Sequence, residues 1–138
     1  MSSQETGRCP RALIVEDNEV NRMVAVQMLR RGEIEADMAP GGKVAIDKLQ
    51  SATYDVVLMD VQMPEMDGLQ TARAIRAGAA GEQGKRIPIV AMTAYASQDD
   101  EDACYDAGMD AYLSKPLNMQ LFLQMVKAAI AGELPANR

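Results

Sequence analysis

The side chains best suited to chemistry in this sequence are three carboxylates, a hydroxyl and an amine, each following a separate apolar segment. They are Glu16, Asp17, Asp60, Thr93 and Lys115. Clustered carboxylates repel one another unless a cation is present, and an oxygen-only site suits Mg²⁺. Carboxylate, metal, hydroxyl and ammonium together fit phosphoryl transfer, in which positive charge placed around the moving group contributes most. An aspartate can itself be the nucleophile and form an acyl phosphate.

The composition narrows the possible chemistry further. The 138 residues include no histidine, which excludes Ser-His-Asp and Cys-His catalysis, His-ligated zinc and a phosphohistidine on this chain. The formal charge of −6 argues against nucleic acid as a direct partner. Cys9 and Cys104 form no Cys-x-x-Cys pair and are predicted to be reduced thiols.

The apolar patterning predicts one domain that lies in the cytoplasm and makes no membrane contact. No apolar run approaches the roughly 20 residues that span a bilayer, and the polar start lacks the pattern of a signal peptide. We expect a tail at residues 1–10, the domain at residues 11–131 and a C-terminal tail at residues 132–138.

Short apolar runs alternate with helical patterns about five times. Near-continuous apolar runs at residues 12–15, 56–59 and 89–92 predict strands buried on both faces, and weaker patterns predict strands at 34–39 and 111–113. Helices are predicted at residues 20–31, 44–49 and 69–75, with a weakly held one at 97–107.

The first and last helices carry the clearest apolar patterns. In the first helix, apolar residues recur at Val20, Met23, Val24 and Met28. Gly32 is its predicted stop signal. The last helix is predicted to begin after the cap Asn118 and to end at Gly132. One face of it carries Leu117, Leu121, Met125, Val126 and Ile130.

Alternating strands and helices predict an α/β fold in which right-handed crossovers build a parallel sheet covered on both faces. In such sheets, ligands bind beyond the carboxyl ends of the strands. The polar residues that follow the strands are therefore expected to meet at one edge.

These motifs, in this order, resemble those of response-regulator receiver domains from about residue 11 to residue 130. Glu16-Asp17 resembles the acidic pair of the family, and Asp60 followed by Met63 to Gly68 resembles its phosphorylation-site stretch. Thr93-Ala94 resembles the hydroxyl motif, and Lys115-Pro116 the lysine that a cis proline bond usually follows. The resemblance implies a flavodoxin-like, doubly wound (βα)5 fold with strand order 2-1-3-4-5.

The resemblance also implies a role for each residue. Asp60 would accept the phosphoryl group, and Asp17, Asp60 and the backbone carbonyl of Gln62 would bind Mg²⁺, with Glu16 acting mainly through water. Lys115 would pair with Asp60 and later with a phosphoryl oxygen.

The implied switch uses two further side chains. Thr93 would move towards the phosphoryl group, into room left by Ala94, and Tyr112 would then turn inward. The surface of the last helices and strand would change. A core role for Tyr112 competes with this interpretation. Residues placed like Gln62 and Tyr95 would influence the lifetime of the phosphorylated form.

The implied donor is a histidine kinase or its phosphorylated histidine domain. The segments at residues 15–21 and 108–116 resemble receivers of hybrid sensor histidine kinases, in which a histidine phosphotransfer protein could take the phosphoryl group onward. The chain itself would then be no enzyme beyond its own phosphorylation and dephosphorylation.

Three alternatives compete with a phosphorylated receiver. A receiver that serves only as a binding module would not need the complete acidic set. A Mg²⁺-dependent aspartyl-phosphate phosphohydrolase would usually carry an aspartate where Gln62 stands. A flavodoxin-like cofactor binder needs a phosphate-cradling loop where Glu16 and Asp17 would repel phosphate.

Overall fold

The computed structural model describes residues 9–63, 66–94 and 97–134. Within these ranges, five parallel strands form one sheet in the order β2-β1-β3-β4-β5, which confirms the predicted fold. The strands are β1 (Arg11–Val15), β2 (Glu35–Ala39), β3 (Val56–Asp60), β4 (Ile89–Thr93) and β5 (Ala111–Ser114). The expected terminal tails lie partly outside the described residues, as do Pro64, Glu65 and Tyr95 of the motifs.

The helices connect successive strands and cover both faces of the sheet. They are α1 (Glu19–Arg31), α2 (Gly42–Ser51), α3 (Gly68–Arg76), α4 (Gln98–Asp106) and α5 (Met119–Ala131), and a short 3-10 turn spans Gln83–Lys85. All five predicted helices are present, and their ends lie within two residues of the predicted ones. Polar side chains cap four of them, namely Asn18, Asp67, Ser97 and Asn118.

The central strands are buried on both faces, as their continuous apolar runs predict. All residues of β3 and β4 are buried. The side chains of successive strand residues point alternately to two core layers, one beneath α1 and α5 and the other beneath α2, α3 and α4. Met59 and Met92 are buried in these layers.

Three of the four apolar residues that predicted α1 do not lie on its buried face. Val20, Met23 and Val24 are 69%, 54% and 42% exposed, whereas Ala25 and Leu29 are buried against the sheet. The helix is thus oriented with Ala25 and Leu29 towards the sheet and with Val20, Met23 and Val24 towards solvent. An apolar surface is thereby left on the first turns of α1.

The last helix shows a similar, smaller rotation. Its buried residues are Phe122, Val126 and Ala129, whereas Leu121, a member of the predicted apolar face, is 58% exposed. Asn118 caps the helix by accepting a hydrogen bond from the Leu121 amide at 3.0 Å. Gly132 ends it with a left-handed φ of 74°, a conformation that glycine adopts without steric cost.

Two polar networks outside the site hold the fold together. The Arg76 guanidinium bonds the Gly108 carbonyl at 2.9 Å, the Gly84 carbonyl at 2.9 Å and the Asp110 carboxylate at 2.8 Å. The Tyr54 hydroxyl donates to the Asp37 carboxylate at 2.6 Å.

The remaining expectations concern the surface and the cysteines. Both cysteines are free thiols, Cys9 exposed and Cys104 buried. Asp99 and Asp100 lie exposed in the first turn of α4. None of the helices in the described ranges combines the length and the apolar character that crossing a bilayer requires.

Candidate functional site

The site is built where β1, β3, β4 and β5 end. Val15 pairs with Met59, Asp60 with Met92, and Thr93 with Ser114, so the strands end at one level. The Lys115 amide continues this pairing by donating to the Thr93 carbonyl at 2.8 Å. Parallel topology therefore brings distant residues to one edge, as predicted.

Three carboxylates form the centre of this edge. Oxygen atoms of Glu16, Asp17 and Asp60 lie within 4.8 Å of one another, and no other group of three metal-ligating side chains occurs in the described part of the chain. Glu16 and Asp60 are 2% and 1% exposed, whereas Asp17 is exposed to solvent. Burial keeps water from screening the two inner carboxylates, so their repulsion is strong.

Lys115 lies between the two buried carboxylates. Its Nζ is 3.0 Å from Glu16 Oε1 and 3.1 Å from Asp60 Oδ1. Burial opposes the ammonium form, but the hydrogen bonds and charges of Glu16 and Asp60 outweigh it and raise the pKa of Lys115 above its ordinary value. The pairing of Lys115 with Asp60 that the family resemblance implied is therefore present.

Asp60 is in an environment that disfavours its negative charge. Burial, then the hydrogen bond and negative charge of Glu16, raise the pKa of Asp60 well above its ordinary range, and Lys115 offsets only part of this. One ammonium facing three carboxylates leaves excess negative charge at the site.

This donor set fits a hard divalent cation. All three side chains offer carboxylate oxygens, the ligands that Mg²⁺ and similar ions prefer, and the exposed Asp17 leaves the cluster open to hydrated ions. A cation there would relieve the repulsion that raises the pKa of Asp60.

Thr93 and Gln62 form the neighbouring wall of the site. The Gln62 amide nitrogen donates to Thr93 Oγ1 at 3.0 Å, and the Gln62 backbone N–H donates to Asp60 Oδ1 at 3.2 Å. Gln62 thus touches both the central carboxylate and the hydroxyl predicted to be the switch. Two predictions were made for Gln62, that its carbonyl binds the metal and that its position influences the lifetime of the phosphorylated form, and both stay predictions.

Tyr112 lies apart from the carboxylates. It is half-buried against the core and lines a groove of about 430 Å³ together with Leu121, Met125 and Leu134. Burial and the nearby acidic residue Glu101 raise the pKa of its hydroxyl. This position is compatible with both a core role and a switch role.

Two residues that support the site were not predicted from the sequence. The Arg22 guanidinium donates to the backbone carbonyls of Glu16 and Asp17 at 2.9 and 3.2 Å and holds the acidic loop in place. Gly68, at the start of α3, lies so close to the Asp60 carbonyl that a Cβ atom there would be 2.3 Å from it. A basic residue one turn into the helix after the acidic pair was the available signal for Arg22.

Fold and site together define a doubly wound α/β domain with an acidic, lysine-paired centre at the carboxyl edge of its sheet. Residues 12–127 match the family model described as the response regulator receiver domain. The chain belongs to this family and is a receiver domain of two-component phosphorelay signalling.

The similar curated proteins are histidine kinases far longer than this chain. It is 40% identical over 121 residues to the sensor protein GacS of Pseudomonas syringae, a match that covers 88% of this chain and 13% of GacS. It is 41% identical over 136 residues to a probable histidine kinase of Oryza sativa, covering 78% of this chain and 14% of the kinase. The chain therefore spans about a seventh of these relatives or less.

Solved structures show the same architecture. The receiver domain of a sensor histidine kinase from Pseudomonas aeruginosa, described with a magnesium ion coordinated in its active site cleft, superposes with a TM-score of 0.81 at 36% identity. That match covers 89% of this chain and 98% of that one. A chemotaxis protein of Vibrio cholerae gives 0.81 at 27% identity, over 88% and 98% of the two chains.

Proposed function

We propose that Asp60 accepts a phosphoryl group from a phosphohistidine on another protein. The observation that carries this proposal is the placement of Asp60, a buried carboxylate at the end of β3 with Lys115 Nζ 3.1 Å away and two further carboxylates beside it. An Oδ atom of Asp60 would form the bond to phosphorus as the bond from phosphorus to the donor imidazole nitrogen breaks, and the neutral imidazole would leave.

We propose Mg²⁺ as the cation of this site, held by Asp17, Asp60 and the Gln62 carbonyl, with Glu16 acting through water. The ion would supply positive charge to the phosphoryl oxygens. Lys115 would move its hydrogen bond from Asp60 to one of those oxygens. Glu16, which also bonds this ammonium, would keep it in position.

Phosphorylation would change the surface through Thr93. A dianion on Asp60 attracts hydrogen-bond donors, so Thr93 would turn towards it and draw the loop after β4 inward. Tyr112 would fill the space that this movement opens. The polar helix α4, with Cys104 as its buried residue, has little burial to resist a shift.

The donor is proposed to be a histidine kinase or its phosphorylated histidine domain. α1 begins two residues after Asp17 and exposes Val20, Met23 and Val24, so an apolar surface borders the site. A helical domain carrying the histidine could cover it. The parent protein would be a hybrid histidine kinase acting in the cytoplasm, where ATP phosphorylates the histidine, and a phosphotransfer histidine could be the next acceptor.

Two observations argue against the alternative functions. A binding module would not require the Lys115 contacts with both buried carboxylates. In a phosphohydrolase, the position two residues after Asp60 would supply a general acid, whereas the Gln62 amide cannot donate a proton to a leaving group and instead bonds Thr93. The chain would therefore act on its own side chain and on no turnover substrate.

The test is intact-mass measurement after incubation with acetyl phosphate, with Mg²⁺ or with EDTA. We expect a Mg²⁺-dependent gain of one phosphoryl group that Asp60→Asn abolishes without loss of fold, because the change is nearly isosteric. Asp47→Asn, at an exposed position of α2, is the matched control and should accept normally.

Two further measurements separate the possible failures. If acetyl phosphate transfers no phosphoryl group but a phosphorylated histidine domain does, Asp60 is still the acceptor and only acetyl phosphate is excluded as a donor. If neither donor transfers a phosphoryl group although Mg²⁺ titration shows binding, the chain is a binding module and the proposal is wrong.

A further inference from the structure

We propose that the side chain of Gln62 is a latch that holds Thr93 in its unphosphorylated position and thereby sets how readily the domain switches. This inference rests on the proposed function of Asp60. Its basis is that Gln62, on the loop after β3, bonds the switch hydroxyl at the end of β4, 31 residues further along the chain.

The Gln62 amide uses both of its polar atoms on this wall. Nε2 donates to Thr93 Oγ1 at 3.0 Å, and Oε1 lies 3.4 Å from both Thr93 Oγ1 and the Ala94 backbone nitrogen. The orientation of the amide follows from these partners, because the Ala94 N–H requires an acceptor and a flipped amide would present it with a donor.

These contacts compete with the switch. To donate to a phosphoryl oxygen on Asp60, Thr93 must rotate or shift, and the bond from Gln62 Nε2 breaks as it does so. Thr93 is 1% exposed although Gln62 and Ala94 are both exposed, so the hydroxyl lies beneath the Gln62 amide. Movement of Thr93 towards Asp60 therefore requires the amide to be released.

The latch is also coupled to the phosphate acceptor. The backbone N–H of Gln62 bonds Asp60 Oδ1 at 3.2 Å, while its side chain bonds Thr93. A phosphoryl group on Asp60 would change the partner of that N–H and the position of the loop that carries Gln62. One residue thus connects the modified carboxylate with the hydroxyl that must respond.

The expected effect is modest, because Gln62 is exposed and water competes for its amide. Loss of one such neutral hydrogen bond shifts an equilibrium by about 2- to 5-fold. Gln62→Met keeps the length of the side chain and the backbone carbonyl while removing both polar atoms, which makes it the test variant. Gln50→Met is the matched control. Gln50 lies at the C-terminal end of α2, away from the site, and its amide donates to the Ala79 carbonyl.

The first readout needs no phosphoryl group. Amide hydrogen exchange and relaxation dispersion are measured by NMR in the unmodified protein. We expect faster exchange at Ala94 and a shift of α4 resonances in Gln62→Met, and no such change in Gln50→Met. Unchanged behaviour of Ala94 and α4 would overturn the latch, whatever the fate of Asp60.

The second readout is the affinity for beryllofluoride with Mg²⁺, a mimic of the phosphorylated carboxylate. Gln62→Met should bind it about 2- to 5-fold more tightly than wild type, and this gain should vanish in the Thr93→Val background. Equal or weaker binding by Gln62→Met, or the same gain with Thr93→Val, would contradict the proposal. If wild type binds no beryllofluoride at all, the function of Asp60 fails, and the exchange measurement still decides on the latch.

Discussion

The sharpest structural prediction concerns Gly68, the first residue of α3. A Cβ atom at this position would lie 2.3 Å from the Asp60 carbonyl oxygen and 2.8 Å from the Val61 Cα. Both neighbours are backbone atoms of the segment that presents the acceptor carboxylate, so neither can yield by changing a rotamer. The Gly68 amide also donates to the Val61 carbonyl at 3.0 Å, which keeps the two segments together.

The magnitude follows from this geometry. Ordinary contact distances require Gly68→Ala to separate α3 and the end of β3 by about 1 Å. Such overpacking costs about 1–3 kcal/mol of unfolding free energy, or roughly 3–10 °C in Tm for a domain of this size. Because Asp60 moves with its carbonyl, we expect phosphoryl acceptance to slow by about 10-fold or more.

The assay combines thermal unfolding with the rate of Mg²⁺-dependent mass gain from acetyl phosphate. Gly41→Ala is the matched control, because a Cβ atom there meets nothing within 4 Å. Its backbone is extended, with φ −169°, and any residue can adopt it. If Gly68→Ala were as stable and as reactive as Gly41→Ala, the inferred close approach of α3 to Asp60 would be refuted.

Substitutions at three further residues test the charge networks. Lys115→Ala should abolish the shift of α4 on phosphorylation, measured by NMR, but should slow phosphoryl acceptance, measured by mass, by no more than about 10-fold. Equal loss of the α4 shift and of phosphoryl acceptance would refute this division of roles. Tyr54→Phe should lower the unfolding free energy by about 1–2 kcal/mol at pH 7 and by less at pH 2 in urea titrations, and an equal loss at both pH values would contradict it. Arg76→Met should cost about 2–4 kcal/mol in thermal unfolding, since it leaves Asp110 and two carbonyls without this partner, and Arg76→Lys should recover less than half.

The pH dependence of the Tyr54 prediction follows from the sign of two pKa shifts. Burial would raise the pKa of Asp37, but hydrogen bonds from Tyr54 and the Met38 amide, with the Lys48 ammonium, outweigh it and lower this pKa. The folded state therefore gains stability from this carboxylate above its ordinary pKa and loses it as the pH falls. Burial and the bond to Asp37 raise the pKa of Tyr54 to about 12, so the hydroxyl remains a donor throughout this range.

The parallel sheet and the gathering of the acidic residues could be predicted because topology decides them, whereas the strand order was implied only by the family resemblance. Once three apolar runs are buried parallel strands, the residues after them must lie at one edge, whatever the details of packing. The proximity of Asp60 and Lys115 therefore follows from their positions at the ends of strands, although 55 residues separate them in the sequence.

Helix rotation and side-chain partners could not be predicted in the same way. The recurring apolar residues of α1 predicted a helix but not its orientation, since Val20 and Met23 are exposed whereas Ala25 and Leu29 are buried. The bond between Gln62 and Thr93 depends on which rotamer the loop allows, and the sequence pattern carries no information on that choice. The sequence places Gly68 only in the phosphorylation-site stretch, whereas the structure shows that the close Asp60 carbonyl leaves no room for a Cβ atom there.

The charges of the site explain why a change at one carboxylate can be transmitted to the surface. Three carboxylates already face one ammonium, so a phosphoryl dianion on Asp60 adds repulsion that Lys115 alone cannot balance. Additional positive charge and additional hydrogen-bond donors must then be recruited. In the proposed switch, Thr93 would be the recruited donor, and the hydrogen bond from Gln62 that opposes its movement is of modest strength. The loop after β4 would then be the element that moves, because the electrostatic attraction to Asp60 would exceed the restraint at Gln62.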